Sequence, residues 1–283
     1  SVASRGLGDV YKRQVLQKTR ENGETIGFVA TMGALHQGHL ALIQQAKKEN
    51  EVVVVSIFVN PTQFNNPEDL AKYPRTEEKD IVLLSDSNCD FLYLPNVEDV
   101  YPEKEESKDY DFGLLDQVME GKFRPGHFAG VATVVNKLLR AVQPTKAYFG
   151  EKDFQQVRIV QEMVRQEKLP VEIVTVPVQR AENGLALSSR NTRLTEENLQ
   201  AAPFIYATLQ KAKNLKEEGN SVHEVNSYVE KAFANSPFEL EYFQIADEET
   251  LQPIDDFTST KKIRAFVVAY AGDVRLIDNL SFS

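Results

Sequence analysis

Val52–Val59 is a nearly continuous apolar run, four valines followed by Ser56, Ile57, Phe58 and Val59. A run with no alternating polar face predicts a strand buried on both sides, the environment of a parallel sheet covered by helices. It follows Thr25–Ala30, read as a strand, and a stretch through Lys48 in which Leu40, Ile43 and Ala46 recur at helical spacing. Together these make a β-loop-α-β unit, with Asn60-Pro61 turning the chain after its second strand.

The alternation continues. Glu77–Ser85 reads as a helix, Phe91–Leu94 as a short strand closed by Pro95, and Val97–Lys108 as an acidic connection. Phe128–Val142 is an apolar helix closed by Pro144, followed by a strand at Ala147–Phe149, a helix at Phe154–Glu167 and a strand at Val171–Val178. Strands alternating with helices imply an α/β fold with a doubly wound, Rossmann-like parallel sheet, whose ligands lie beyond the carboxyl ends of the strands. After Pro177 the pattern becomes helices then strands: Thr195–Glu218 and Ser221–Ala234, then Glu239–Ile245, Ile263–Tyr270 and Val274–Ile277. That order predicts a smaller C-terminal α+β domain over 179–283, after a nucleotide-binding domain over 1–178.

Of 283 residues, 42% are hydrophobic and 26% charged, ordinary globular values. A net charge of −10 argues against a nucleic-acid surface, which needs a concentrated basic face. Cys89 is the single cysteine, so an intrachain disulfide is excluded and a reducing, cytoplasmic setting is expected. No run approaches the length of a membrane span. Ser1–Gln14 mixes Gly, Ser and Arg with little periodicity and reads as a truncated or foreign leader. Its Gly6-Leu7-Gly8 imitates half a dinucleotide fingerprint, but Tyr11 replaces the third glycine and no strand precedes it.

Four segments carry groups suited to chemistry, and three of them fall where parallel strands should end. Met32-Gly33-Ala34-Leu35-His36-Gln37-Gly38-His39 places two histidines three residues apart at a helix start, where free amides favour an anion and the glycines admit a close ligand. Zinc is disfavoured, since no third ligand is near. Phe149-Gly150-Glu151-Lys152-Asp153-Phe154-Gln155-Gln156 offers a lysine point charge but lacks P-loop spacing. Leu187-Ser188-Ser189-Arg190-Asn191 can grip phosphoryl oxygens with two hydroxyls and a planar guanidinium, as a mobile lid or as a plain polar linker. Phe58–Phe64 supplies neutral amides at Asn60 and Gln63 beside an apolar wall. His127 reads as a helix capper, Thr76 as an N-cap, Arg75 as facing solvent or substrate, and His223 as a solvated bystander.

Taken together, the turn Thr31–His39, the segments Phe58–Phe64 and His127–Val131, the segment Phe149–Gln156 and the segment Leu187–Asn191 closely resemble the pantoate–β-alanine ligase family. The resemblance covers about Thr25–Leu280, and the five motifs stand in the family's order. It implies an ATP-dependent, two-step ligation in a cytoplasmic homodimer of the nucleotidyltransferase superfamily. Pantoate is first activated as pantoyl adenylate with loss of pyrophosphate, and β-alanine then displaces AMP.

It further implies nucleotide contacts at Met32, Gly33, Ala34, Leu35, His36, Gln37, Gly38 and His39, at Gly150, Glu151, Lys152 and Asp153, at the Gln179 backbone, and at Leu187, Ser188, Ser189 and Arg190. His36, His39, Lys152 and Arg190 become the expected catalytic residues, with His39 where the family places a general acid. Gln63 and Gln156 would hold pantoate, and Gln63 would also serve β-alanine. Mg2+ is expected as the nucleotide's counter-ion, with Asp80 and Asp153 as possible ligands. The chain departs from the family at Ala30, where proline is usual, and before Thr25, where a first strand is expected to be missing or replaced and a sheet edge left poorly formed. Rival readings are another adenylyltransferase with the same histidine turn, an aminoacyl-tRNA synthetase lacking an evident RNA module, and a non-catalytic nucleotide-binding protein.

Overall fold

The computed structural model describes residues 8–64, 66–102 and 108–283, with the side chains of 8–13 left aside. It divides into two compact units. The first comprises residues up to Phe112, Arg124–Glu151 and Gln156–Pro177; the second comprises Gly113–Phe123, Lys152–Gln155 and Val178–Ser283.

The first unit is built on five strands, β1 (Ile26–Thr31), β2 (Val52–Ile57), β3 (Phe91–Tyr93), β4 (Lys146–Gly150) and β5 (Glu172–Val176), in the order β3-β2-β1-β4-β5. All pairings are parallel, with Ile26 opposite Val52 through Thr31 opposite Ile57, and Gly27 opposite Lys146. The valine run is buried as its composition demands, Val53, Val54 and Val55 being fully enclosed. The helix Gln37–Glu49 packs on β1, β2 and β4, and its Ile43 and Ala46 join Val29, Val53, Val55 and Tyr148 in one core. Because the order reverses between β1 and β4, the crevice beyond Thr31 and Gly150 is the switch point at which such sheets bind ligands.

Two sequence expectations change here. Gly8–Glu21 is helical, with Leu16 and Thr19 buried and the Arg20 guanidinium donating to the Val142 carbonyl (3.1 Å), so non-periodicity does not hold from Gly8 on. Residues 1–7, including most of the Gly6-Leu7-Gly8 triplet, lie outside the described residues, as do 103–107 of the acidic connection. Among the described residues no strand precedes β1, yet β1 is central and paired on both sides, so no edge is opened there. Ala30 lies inside β1, opposite Ser56.

The second unit holds an antiparallel sheet, β6 (Glu239–Asp247), β7 (Ile263–Ala271) and β8 (Val274–Ser281) in that order, covered by the helices Pro203–Glu217 and Val222–Ala234. Ile205, Leu209, Val225, Val229 and Phe233 from the helices meet Ile245, Val267, Ala269 and Leu276 from the sheet. The single helix predicted over Thr195–Glu218 is two, Glu196–Ala201 and Pro203–Glu217, because Pro203 begins a new helix at its first position.

Several carboxylates in the first unit are held below the ordinary glutamate value of 4.5: Glu49 by hydrogen bonds from Lys146 and Gln45, Glu162 by Arg165, Glu167 by Lys108 and Arg140. A carboxyl lowered in the folded state stabilises it above the unfolded value, and the benefit is lost as pH falls through the lowered value. Urea midpoints measured from pH 7 to pH 3 should therefore be flat down to about 4.5 and fall below it.

Candidate active site

Gly33 (φ +82°) and Ala34 (φ +48°) are consecutive left-handed residues one position beyond the end of β1, after Met32. Such a pair turns successive amides toward one point and forms an anion nest. The anion is the protein's own. Asp80, 3% exposed on the helix Glu77–Ser85, accepts from the Ala34 N–H through Oδ2 (2.9 Å) and from the Leu35 N–H through Oδ1 (2.8 Å), while Thr76 Oγ1 donates to Oδ2 (3.2 Å). A Cβ on Gly33 would stand 3.1 Å from that Oδ2 and 3.2 Å from Ile57 Cγ2. Asp80, Ile57 and its own positive φ thus each favour glycine at position 33. Thr76 does occupy the N-cap position, but its hydroxyl makes no cap and serves Asp80 instead.

The two histidines cap their helix reciprocally. His36, extended at the N-cap (φ −143°), accepts from the Gly38 N–H through Nδ1 (3.1 Å), and His39, at the third helical position, accepts from the His36 N–H through its own Nδ1 (3.2 Å). This is a capping box made from imidazoles. Because each Nδ1 accepts, the neutral form of each ring carries its proton on Nε2. The ring centroids are 4.2 Å apart. The amides of Gly38, His39 and Leu40 are all satisfied at His36, by its ring or its carbonyl. These three helix-start amides are therefore already committed within the turn, and the groups the turn adds to them are the two imidazoles.

The loop after β2 is fixed from several sides. Asn60, 1% exposed, donates through Nδ2 to Gln63 Oε1 (3.2 Å) and to the Gly130 carbonyl (3.2 Å), and accepts from Tyr101 Oη (2.9 Å). Gln63 Nε2 donates to Met32 Sδ (3.1 Å), which joins the loop to the histidine turn. A thioether is a weak acceptor, so these amide protons can be re-committed to a ligand at small cost. His127 is not a cap: Gly126 holds that position, and His127 Nδ1 bonds the Gln63 carbonyl (2.8 Å) while Nε2 faces Arg124 (3.1 Å). A carbonyl only accepts, so Nδ1 carries the proton and Nε2 accepts from the guanidinium. Gly130 allows the helix His127–Val142 to approach, since a Cβ there would lie 2.6 Å from the Thr62 carbonyl oxygen.

Beyond β4, Gly150 leaves open space, with no atom within 4 Å of where its Cβ would be. Gln156 is half-buried on the helix Phe154–Glu167. Its neighbour Gln155 belongs to the second unit and is committed there: it donates to the Leu115 and Val118 carbonyls and accepts from the Glu120 N–H.

In the second unit Lys152 Nζ lies 3.5 Å from Asp153 Oδ1, and the Lys152 carbonyl accepts from Asn279 Nδ2 (2.9 Å). Gln179 and Leu187 close a small hairpin through the Leu187 N–H and the Gln179 carbonyl (2.9 Å). Arg180 anchors that hairpin by a bidentate pair with buried Asp278 (2.6 and 2.8 Å), with its guanidinium 3.7 Å from the Tyr206 ring centroid. Ser188 Oγ caps the following turn Ser189–Arg193 by accepting from the Arg190 N–H (3.2 Å). Glu151 and Asp153 flank Lys152 in a single 3-10 turn.

The structure thus brings together His36, His39, Met32, Gln63 and His127 within the first unit, and Ser188, Ser189 and Arg190 on one capped turn of the second. Sequence reasoning missed the roles of Asp80, Arg180 and Asp278, because each acts on a residue distant in sequence, and that of Arg124, whose partner His127 is only three residues on but was read as a cap. Among the described residues no three His, Cys, Asp or Glu side chains form a metal-holding group, and no helix is long and apolar enough to cross a membrane.

The sequence model of the Pantoate-beta-alanine ligase family matches residues 10–281. A pantothenate synthetase of Flavobacterium psychrophilum is 51% identical over 279 residues, 96% of this chain and 99% of that protein. The crystal structure of pantothenate synthetase from Thermus thermophilus is 45% identical, covers 94% of this chain and 97% of that one, and superposes with a TM-score of 0.88. The pantoate-beta-alanine ligase of Francisella tularensis, solved with beta-gamma ATP and beta-alanine, is 38% identical over 95% of both chains with a TM-score of 0.79.

Proposed function

This chain belongs to the pantoate–β-alanine ligase family, and from that membership we propose how its residues divide the work of the reaction. It is a ligase that forms pantothenate from pantoate and β-alanine with ATP as substrate. One observation carries the proposed route: Gln63, an amide suited to a carboxylate and a hydroxyl, is bonded to Met32 of the same turn that presents two imidazole Nε2–H groups. In this reading an acid held at Gln63 lies beside a phosphate held at His36 and His39.

In the first step a pantoate carboxylate oxygen attacks the α-phosphorus, forming the C–O–P bond of pantoyl adenylate, and the bond to the bridging oxygen breaks to release pyrophosphate. His39 and His36 donate through Nε2 to phosphate oxygens as charge moves onto the leaving group. Lys152, Arg190, Ser188 and Ser189 neutralise the same charge, the guanidinium as a fork and the ammonium as a point. Gln156 joins Gln63 in holding pantoate. In the second step the β-alanine amine, placed by Gln63, attacks the acyl carbon, loses a proton, and AMP departs. The backbone from Met32 to Leu35, through groups other than the Ala34 and Leu35 amides held by Asp80, together with Gln37, Gly38, the segment Gly150, Glu151 and Asp153, and the residues Gln179 and Leu187, complete the nucleotide contacts.

Mg2+ enters this reading as the counter-ion of ATP, carried by the phosphates. Neither carboxylate is assigned to it, since the Asp80 oxygens already accept two backbone amides and the Thr76 hydroxyl, and Asp153 stands against Lys152. No step is routed through the ion. The reading extends to a cytoplasmic homodimer of the nucleotidyltransferase superfamily, a state that sedimentation at micromolar concentration tests.

Purified protein given ATP and pantoate alone should release pyrophosphate, and AMP should appear only when β-alanine is added. Well-folded protein that releases no pyrophosphate without β-alanine would overturn the adenylate route.

A further inference from the structure

The histidine turn is not held in shape by its own residues. Two consecutive left-handed conformations, one of them at a residue with a Cβ, are unfavourable unless something over-determines them. That something is a carboxylate from 46 residues further along the chain: Asp80 takes the Ala34 and Leu35 amides, one on each oxygen, and is itself steadied by Thr76 Oγ1. The turn is one residue away from His36, whose N–H is held by His39 and whose ring begins the helix. The aim of both rings is thus set at their N-terminal side by one buried acid.

The structure assigns Asp80 as a positioning residue for the two histidines. The assignment rests on the reading of His36 and His39 as the phosphate-binding pair. By filling the anion nest of Gly33–Leu35, Asp80 keeps the ATP phosphates off those amides, so they must meet the imidazoles. It also fixes the direction in which the chain enters the capping box, and hence the two Nδ1 acceptors and the two Nε2–H donors. The alternative chemistry for a buried acid beside a nucleotide is ligation of Mg2+. With Oδ1 and Oδ2 each accepting an amide, and Oδ2 also a hydroxyl, the geometry favours positioning over metal binding.

Substitution tests this directly. In Asp80→Asn only one oxygen remains, and the new amide points a donor at a donor, so the turn must shift. Displacement of reacting groups by about 1 Å costs on the order of a hundredfold in rate. We therefore expect kcat for pantoate-dependent pyrophosphate formation to fall about a hundredfold in Asp80→Asn, with the Mg2+ concentration giving half-maximal rate unchanged. The milder Thr76→Val, which removes only the hydroxyl donor, should lower kcat in the same direction by a smaller factor. Histidine side-chain 15N spectra should show protonation on Nε2 for both rings in the parent and a mixture of tautomers in Asp80→Asn.

A lowered melting temperature with unaltered kcat and unaltered tautomers would make Asp80 merely structural and overturn the assignment. A raised Mg2+ requirement would overturn it in favour of metal binding. If Asp80→Asn does not fold, Thr76→Val decides by the same kcat and 15N readouts. Parent enzyme that makes no pyrophosphate from ATP and pantoate would sink the functional reading instead, a result separate from any effect of the substitutions.

Discussion

Replacing His39 by alanine should lower the rate of pantoate-dependent pyrophosphate formation at least about a hundredfold. The ring has two jobs, and the substitution removes both. Through Nδ1 it accepts the His36 N–H at 3.2 Å and closes the capping box; through Nε2 it supplies a donor to the developing phosphate charge. Loss of a capping bond costs about 1 kcal/mol of stability, which denaturant unfolding would register. His39→Gln separates the two jobs, since glutamine at the third helical position can close a capping box but carries no imidazole. Stability should return in His39→Gln while the rate stays depressed. A parent-like rate in His39→Ala would remove His39 from the mechanism, and recovery of both properties in His39→Gln would reduce it to a helix cap.

The largest stability effect is expected in the second unit, at Arg275. Its guanidinium makes a bidentate pair with Glu120 (both 2.7 Å) and also bonds Glu241, with all three side chains under 20% exposed. Tyr242 Oη donates to Glu120 (2.9 Å) and Tyr270 Oη to Glu241 (3.1 Å). Burial opposes the charge on Arg275, but hydrogen bonds and attraction from Glu120 and Glu241 outweigh it and push its pKa further up. Burial and the adjacent Glu120 raise the Tyr242 phenol, which therefore stays a donor.

Removing one member of a buried pair leaves an uncompensated charge, a loss of about 3–5 kcal/mol. Arg275→Met strands two carboxylates and should fall at the upper end of that range. Adding Glu120→Gln and Glu241→Gln should recover most of the loss, because the stranded charges are gone. Denaturant midpoints of the single and triple variants check this, and a single variant within about 1 kcal/mol of the parent would show that the network contributes little. Gln155 holds the same segment by three backbone bonds, through the Leu115 and Val118 carbonyls and the Glu120 N–H.

Much of the fold was legible because it rests on local patterning. The valine run demanded enclosure on both faces and has it in β2; the helix Phe154–Glu167 was read to the residue from its spacing and the strand before it. Failures arose where local patterning is weak. Gly8–Glu21 mixes polar residues with a few apolar ones and is a helix because Leu16 and Thr19 find a place to pack. Helix boundaries near Pro203 turned on one ring that starts a helix as readily as it stops one.

The site divides along the same line. The sequence by itself determined which chemical groups are present: two histidines at a helix start, amides after the second strand, a lysine after the fourth, and a serine-serine-arginine turn. Their order in the chain was enough to place three of the four groups at strand ends, since alternating strands and helices allow few topologies. Only the tertiary structure decided what each group does with its neighbours. Asp80 accepts the amides of the histidine turn, His127 is a clamp on Gln63 rather than a cap, and Gln155 is an anchor where Gln156 is the candidate ligand. The reason is physical: a residue's type and period are properties of its own segment, whereas a hydrogen bond between Ala34 and Asp80 exists only once the chain between them has folded.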